Sequence, residues 1–309
     1  MAFAGSKRGL FVIRATIGTI AAVAALVGGT DAVSAAARPE VRLSASSPWN
    51  LDGSESGCAL RRTFGPADRP VVLEIRRYEP GDRFQLVVDG DDLASLVMRH
   101  KVTVQYSTLW TDEDTWFQPG TAKRGDRDAV PSIFLTSALM KPENGKTDDD
   151  TEGEQDFVTP AMEDSVKQIA LIWGDHRVSL ATGSLGKPFA ALRGCTDALL
   201  KAWDLDPAVQ ASLSRHAKPA HLKPMVRSIQ DVYPTSMLAK GNQGRVNFRA
   251  LVNAEGVVTR CDTLKSYNEP AFDALACKVV QRTRFDPALD KAGKPVPSYY
   301  AQTVIYFTG

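Results

Sequence analysis

Most of the short motifs that announce a catalytic or nucleotide site are missing from this chain. It has no H-E-x-x-H, no P-loop and no G-x-G-x-x-G. The one stretch that looks like a nucleophile elbow is not one, because Gly53 and Gly57 bracket Glu55 where a serine would stand. Cysteines never occur as C-x-x-C, and His100, His176, His216 and His221 lie away from them in sequence, so no metal-ligand spacing exists and neither metal nor cofactor is expected. The acidic run from Asp148 to Asp156 lacks the alternating ligands, glycine and closing glutamate of a calcium loop and reads as a solvated surface loop. Charge of one sign is lacking too: 37 Lys and Arg stand against 36 Asp and Glu. That balance gives no reason to expect nucleic acid or an anionic membrane surface as partner.

Long apolar runs are also absent. The longest, from Ala15 to Gly29, falls short of the ~20 residues that a spanning helix needs and contains several glycines. It follows Lys7, Arg8 and Arg14 and precedes Ser34-Ala35-Ala36-Ala37, the order of a secretory signal peptide cleaved near Ala37. The alternative is a retained single-pass anchor in the inner membrane, the only route by which a membrane enters this reading. Without residues 1–37 the remaining ~270 residues exceed a typical single domain, and two are expected.

Cysteine is scarce but even in number. Cys58, Cys195, Cys261 and Cys277 all follow the signal, and in an oxidising compartment they read as two disulfides. Three pairings are open. Keeping each bridge inside one domain favours Cys58 with Cys195 and Cys261 with Cys277.

Residues 38–206 are dominated by short β-favouring runs, among them Val71–Ile75, Phe84–Val88, Lys101–Tyr106 and Gln168–Trp173, separated by Gly, Pro, Asp and Asn. Such a pattern predicts an antiparallel sandwich or open barrel. Phe189, Leu192, Ala198, Leu199 and Trp203 place an apolar stripe on a helix that closes it. Residues 207–230 turn basic, with Pro219 and Pro224, and read as a linker. No chemistry-bearing constellation emerges in this region.

The last quarter is more informative. Val246, Phe248, Ala250 and Val252 alternate with Arg245, Asn247 and Arg249, a half-buried strand. Asn253-Ala254-Glu255-Gly256 is a tight turn, and a return strand runs to Lys265. Phe272, Leu275, Ala276, Val279 and Val280 form a helical stripe, and Tyr299 to Phe307 is a final strand, with Thr303, Ile305 and Phe307 expected to face the core.

Six segments in order carry a family resemblance. They are Tyr233-Pro234 with Gly241 and Gly244, Asn253–Gly256, Lys265-Ser266, Pro270–Asp273, Phe285-Asp286-Pro287-Ala288-Leu289, and Gly293-Lys294-Pro295-Val296-Pro297. Together residues 231–309 resemble the C-terminal domain of the TonB family. The resemblance implies a three-stranded antiparallel sheet with a helix packed across it, hence an α+β chain overall. It also implies a periplasmic site of action and a binding role, with an edge strand pairing to the TonB box of an outer-membrane receptor. The final strand supplies that edge, and Tyr299, Tyr300, Gln302, Val304 and Tyr306 are its candidate partner-binding residues. The competing reading is that its aromatics fill the sheet's core or a contact with a domain or a second copy. The apolar run at the N-terminus carries no histidine, and no Pro/Glu/Lys-rich spacer precedes the module, unlike an energy transducer. The sequence is therefore read as a non-catalytic periplasmic binding protein. An anchored energy transducer and an envelope enzyme with a site in the β-rich domain are the alternatives.

Overall fold

The computed structural model describes residues 40–107, 110–139, 158–233, 235–239, 244–264 and 273–306, with backbone alone at 110–114, 238, 244, 273 and 305–306. Every described element belongs to one compact unit, Arg38–Gly309. The expected signal segment and the acidic run 148–156 lie outside the described residues, as do Gly241, Lys265-Ser266 and Pro270 to Phe272. Among the described residues no helix is long and apolar enough to cross a membrane.

In the β-rich part the strands are β1 (Glu40–Ser44), β2 (Asn50–Ser54), β3 (Gly57–Phe64), β4 (Val71–Arg77), β5 (Phe84–Asp89), β6 (Lys101–Tyr106), β7 (Trp110–Trp116), β8 (Gln118–Arg124) and β9 (Arg127–Ser137). Helix α1 (Pro160–Ser165), β10 (Ile169–Trp173), β11 (His176–Ala181) and α2 (Gly186–Ala202) complete it. Six strands form one antiparallel sheet in the order β2-β3-β4-β5-β9-β8. The other five form a second, β1-β11-β10-β6-β7. The expectation of antiparallel strands holds except at one edge, where β1 runs parallel to β11. Sequence-adjacent hairpins account for most of the antiparallel pairs, β5 with β9 and β10 with β6 being joined by longer connections; β1 and β11 are far apart in sequence, and no hairpin constrains their direction.

Alternation decides which face is dry. Leu60, Leu73, Ile75, Leu86, Val88, Ile133 and Leu135 of the six-stranded sheet are buried with Val102, Val104, Tyr106, Ile169, Leu171, Val178 and Leu180 of the other. The same core takes Phe189, Leu192, Leu199 and Leu200 from α2, whose 3.6-residue period puts them on one side. Cys58 on β3 is bonded to Cys195 on α2 across 137 residues. In the chain-entropy account, closing a loop of that length stabilises by about 5 kcal/mol.

The segment read as a linker is built into the structure. Helix α3 (Pro207–Gln210), β12 (Lys218–Pro219) and α4 (Leu222–Asp231) follow α2 directly. Pro224 is the third residue of α4, where the N–H it lacks would have had no helical partner. Met225 and Ile229 of α4 are buried in the C-terminal core.

That module continues with α5 (Thr235–Ala239), β13 (Gly244–Val252), β14 (Val258–Thr263), α6 (Asp273–Val280), β15 (Phe285–Asp286), β16 (Ala288–Leu289), β17 (Pro295–Val296) and β18 (Ser298–Tyr306). Its sheet has the order β14-β13-β18, antiparallel throughout. Val246, Phe248, Ala250 and Val252 face α4 and α6, where Ala276, Cys277 and Val280 meet them. Cys277 is bonded to Cys261 of β14, which pins the helix to the sheet. At the hairpin tip Asn253 Oδ1 accepts from the N–H groups of Glu255 and Val257 at 3.2 and 2.8 Å. Gly256 takes φ +73°, and a Cβ there would collide with the Phe285 carbonyl oxygen. Only glycine satisfies both conditions.

Candidate functional site

The site is best built outward from β18. It pairs with β13 over nine consecutive residues, from Ser298 opposite Val252 to Tyr306 opposite Gly244, without a register break. Among the described residues no strand pairs on its other side. A row of backbone N–H and C=O groups on alternate residues therefore points away from the sheet. The opposite edge, β14, is shorter, bears a bulge near Leu251 and is tied to α6 by the disulfide.

The side chains expected to bind a partner are mostly occupied inside the molecule. Register places Tyr300, Gln302 and Val304 on the helix side, opposite Ala250, Phe248 and Val246. Tyr300 packs edge-on against Phe285 at 5.3 Å and lies 6.1 Å from Phe248. Val304 packs on the same core. Gln302 is exposed. Tyr299 points the other way and is buried in the β-rich core, edge-on to Trp203 at 5.8 Å. The side chain of Tyr306 lies outside the described residues, as do those of Ile305 and Phe307. Thr303, expected in the core, faces away from the helices and donates to Asn247 Oδ1 at 2.7 Å. What the strand offers a partner is thus its backbone edge, with Gln302 beside it.

The second face of the sheet has a tenant that the sequence did not reveal. Arg245, Asn247 and Arg249 are buried, although their alternation reads as a solvent face. Asn247 donates to Tyr78 Oη at 3.2 Å, Tyr78 donates to Gln85 Oε1 at 3.0 Å, and Arg245 reaches Thr136 Oγ1 at 3.3 Å. These acceptors belong to the six-stranded sheet and its β4–β5 connection. Arg249, only 1 % exposed, lays its guanidinium 3.7 Å from the centre of the Trp203 ring and donates to Asp262 at 3.0 Å. Trp203 is thus gripped between Arg249 and Tyr299. Burial pushes the Arg249 pKa down, and the hydrogen bond from its guanidinium to Asp262 opposes that shift. At Asp262 burial acts upward, but hydrogen bonds from Arg260 and Arg249 win and hold its carboxyl below the ordinary value. Further along, Ser298 donates to Gln210 Oε1 at 2.7 Å, and Gln210 Nε2 donates to the Pro297 carbonyl at 3.0 Å. The start of β18 is therefore held by α3. A run of Arg and Asn on a strand carries no mark of what will cover it, which is why Trp203, Tyr78 and Gln85 could not be paired with it from sequence.

No group of three or more His, Cys, Asp or Glu side chains disposed to hold a metal occurs among the described residues. The cysteines are bonded in the pairing that chain order favours, and none is free.

Comparison with known proteins bears on the C-terminal module alone. The family model of the Gram-negative bacterial TonB protein C-terminal matches residues 229–308. No curated protein matches the chain. Among solved structures, the chain is similar to the C-terminal domain of Pseudomonas aeruginosa TonB, determined in solution by NMR. That match has 24% identity, covers 29% of this chain and 84% of the other, and has a TM-score of 0.24. The matched segment begins at Ile229, so the family's boundary takes in only the last three residues of α4. Residues 229–308 form a TonB C-terminal domain, which gives this part of the chain a protein-interaction role in the cell envelope.

Proposed function

We propose that the protein is a periplasmic, non-catalytic binding protein that takes up an extended segment of an envelope partner along β18. The TonB box of an outer-membrane receptor is the partner the family suggests. The carrying observation is the nine-residue strand, paired on one side only among the described residues, with its start anchored by Gln210 and Tyr299. An added strand gains main-chain hydrogen bonds along that edge, and a rigid edge loses little entropy in accepting it. The β-rich part acts in this reading as a scaffold. It occupies the sheet's second face and leaves the edge as the accessible recognition element.

Proline scanning of two adjacent residues tests the proposal. In an antiparallel ladder, neighbouring residues point their N–H groups to opposite sides. Of Ala301→Pro and Gln302→Pro, one removes a hydrogen bond to β13 and the other an outward donor. The variant that keeps the wild-type melting temperature is expected to bind TonB-box peptides at least about ten-fold more weakly. Unchanged affinity in that variant would sink the edge-pairing mechanism, and absence of binding by the wild-type chain at millimolar peptide would remove the receptor as partner. Self-association lost in the same variant would identify a second copy as the strand donor.

A further inference from the structure

A cleft at one end of the five-stranded sheet, remote in sequence from the TonB-like module, carries a separate binding chemistry. Its open volume is about 500 Å³, and its lining includes Arg99, His100, Lys101, Thr103, Trp116 and Ile172. Strand pairing explains the assembly. Lys101 opens β6 opposite Trp116, which closes β7. Thr103 stands opposite Ile172, and Trp173 opposite His176 around the Gly174-Asp175 turn. The Arg99 guanidinium lies against Gly174, 3.8 Å from where a Cβ would be. The Lys101 ammonium sits 5.4 Å from the centre of the Trp116 ring, and His100 lies 6.1 Å from it.

Two features together mark this cleft. Elsewhere in the β-rich part Arg42, Arg61, Arg76, Arg127 and Arg177 each meet a carboxylate. Among the described residues Arg99 and Lys101 form no ion pair, and no carboxylate lines the cleft; Asp175, in the adjoining turn, lies outside the lining. Trp116 is also 68% exposed, and Met98, next to Arg99 in the chain, is 81% exposed. No other large apolar side chain among the described residues approaches these values. Unpaired cations beside exposed apolar surface ask for an anion that carries a body.

We propose that this cleft binds organophosphates. The phosphate bridges Arg99 and Lys101, and the attached body rests on Trp116 and Ile172. A phosphate monoester has the charge and the spread of oxygens to engage two permanent cations at once, whereas a single carboxylate neutralises only one. A phospholipid headgroup is a diester with one charge, so it offers two anionic oxygens to the same cations but a weaker charge match, and the soluble ester is the better fit.

The test is titration of the full chain, read by tryptophan fluorescence and by the amide resonances of His100, Thr103 and Gly174. Probes are glycerol 3-phosphate, glycerol, inorganic phosphate, and dihexanoyl phosphatidylglycerol below its micelle concentration. Saturable shifts with either phosphate ester and none with glycerol are expected, and the tighter ester names the source. Arg99→Gln and Lys101→Gln should each weaken binding about ten-fold. Both side chains are exposed, so the fold should survive, and Arg99→Lys should retain most of the affinity. Trp116→Ala should abolish the preference for ester over inorganic phosphate. The proposal is overturned by no saturation at ~10 mM, a concentration at which even single charge-assisted contacts would register. Affinity indifferent to both charge removals also overturns it, as does inorganic phosphate binding as tightly as the esters.

Discussion

The grip of Arg249 and Tyr299 on Trp203 makes a quantitative prediction about how the C-terminal module is held. Trp203→Ala removes a large, almost fully buried ring at the end of α2 and leaves Tyr299 facing a void. Truncations of this kind cost about 3–5 kcal/mol. Arg249→Ala removes a desolvated cation stacked on the same ring, an interaction of about 2 kcal/mol. It does not strand Asp262, which keeps Arg260 at 2.9 Å, and it relieves the burial of a charge, so the net cost should be about 1–3 kcal/mol. Because both substitutions delete one contact, the double variant should cost less than the sum, with a coupling of about 1.5–2 kcal/mol. Denaturant unfolding followed by far-ultraviolet circular dichroism and by tryptophan fluorescence supplies the numbers, and in the wild type the two signals should change together. A coupling below about 0.5 kcal/mol, or two separated transitions, would refute the idea that the sheet's second face is sealed by the β-rich part.

Three further outcomes follow from local geometry. Gly256→Ala places a Cβ against the Phe285 carbonyl oxygen at positive φ and should lower stability by about 2–4 kcal/mol in equilibrium unfolding. Replacing Cys261 and Cys277 together by serine should cost about 3 kcal/mol, and replacing Cys58 and Cys195 about 5, read from the denaturant midpoint and slope together, the slope rising as the unlinked denatured chain expands; equal losses would contradict the loop-length argument. Glu40 takes a hydrogen bond from Ser179, and with Arg42 and Arg177 its pKa is held down to about 2 from 4.5. Its contribution to stability is therefore complete above the ordinary value and is lost as pH falls toward 2, so the gap between wild type and Glu40→Gln should shrink across that range.

Much of the fold was legible because it rests on local rules. The 2-residue alternation located most strands, the 3.6-residue stripe of Phe189, Leu192 and Leu199 located α2, and Asn253–Gly256 located the hairpin of the C-terminal sheet. What escaped were contacts between segments distant in sequence. The basic, proline-bearing stretch 207–230 reads as a linker because no single position betrays the antiparallel pairing of β12 with β15 or the burial of Met225 and Ile229. In the same way Arg245, Asn247 and Arg249 have the pattern of a wet face, and only a partner supplying Tyr78, Gln85 and Trp203 makes their burial tolerable. The aromatics of β18 illustrate the converse. They looked like recognition residues, but Tyr299 and Tyr300 serve two different cores on the two sides of one strand. The cleft around Trp116 stayed hidden because its residues come from the ends of three strands and two connections.

Hydrogen exchange of the backbone amides tests the central claim most directly. With an excess of TonB-box peptide, the outward-pointing alternate amides between Ser298 and Tyr306 should gain protection, while those of β14 stay as they were. Protection gained along β14 instead, or on the β-rich sheets with β18 unchanged, would contradict the assignment of β18 as the strand that receives the partner.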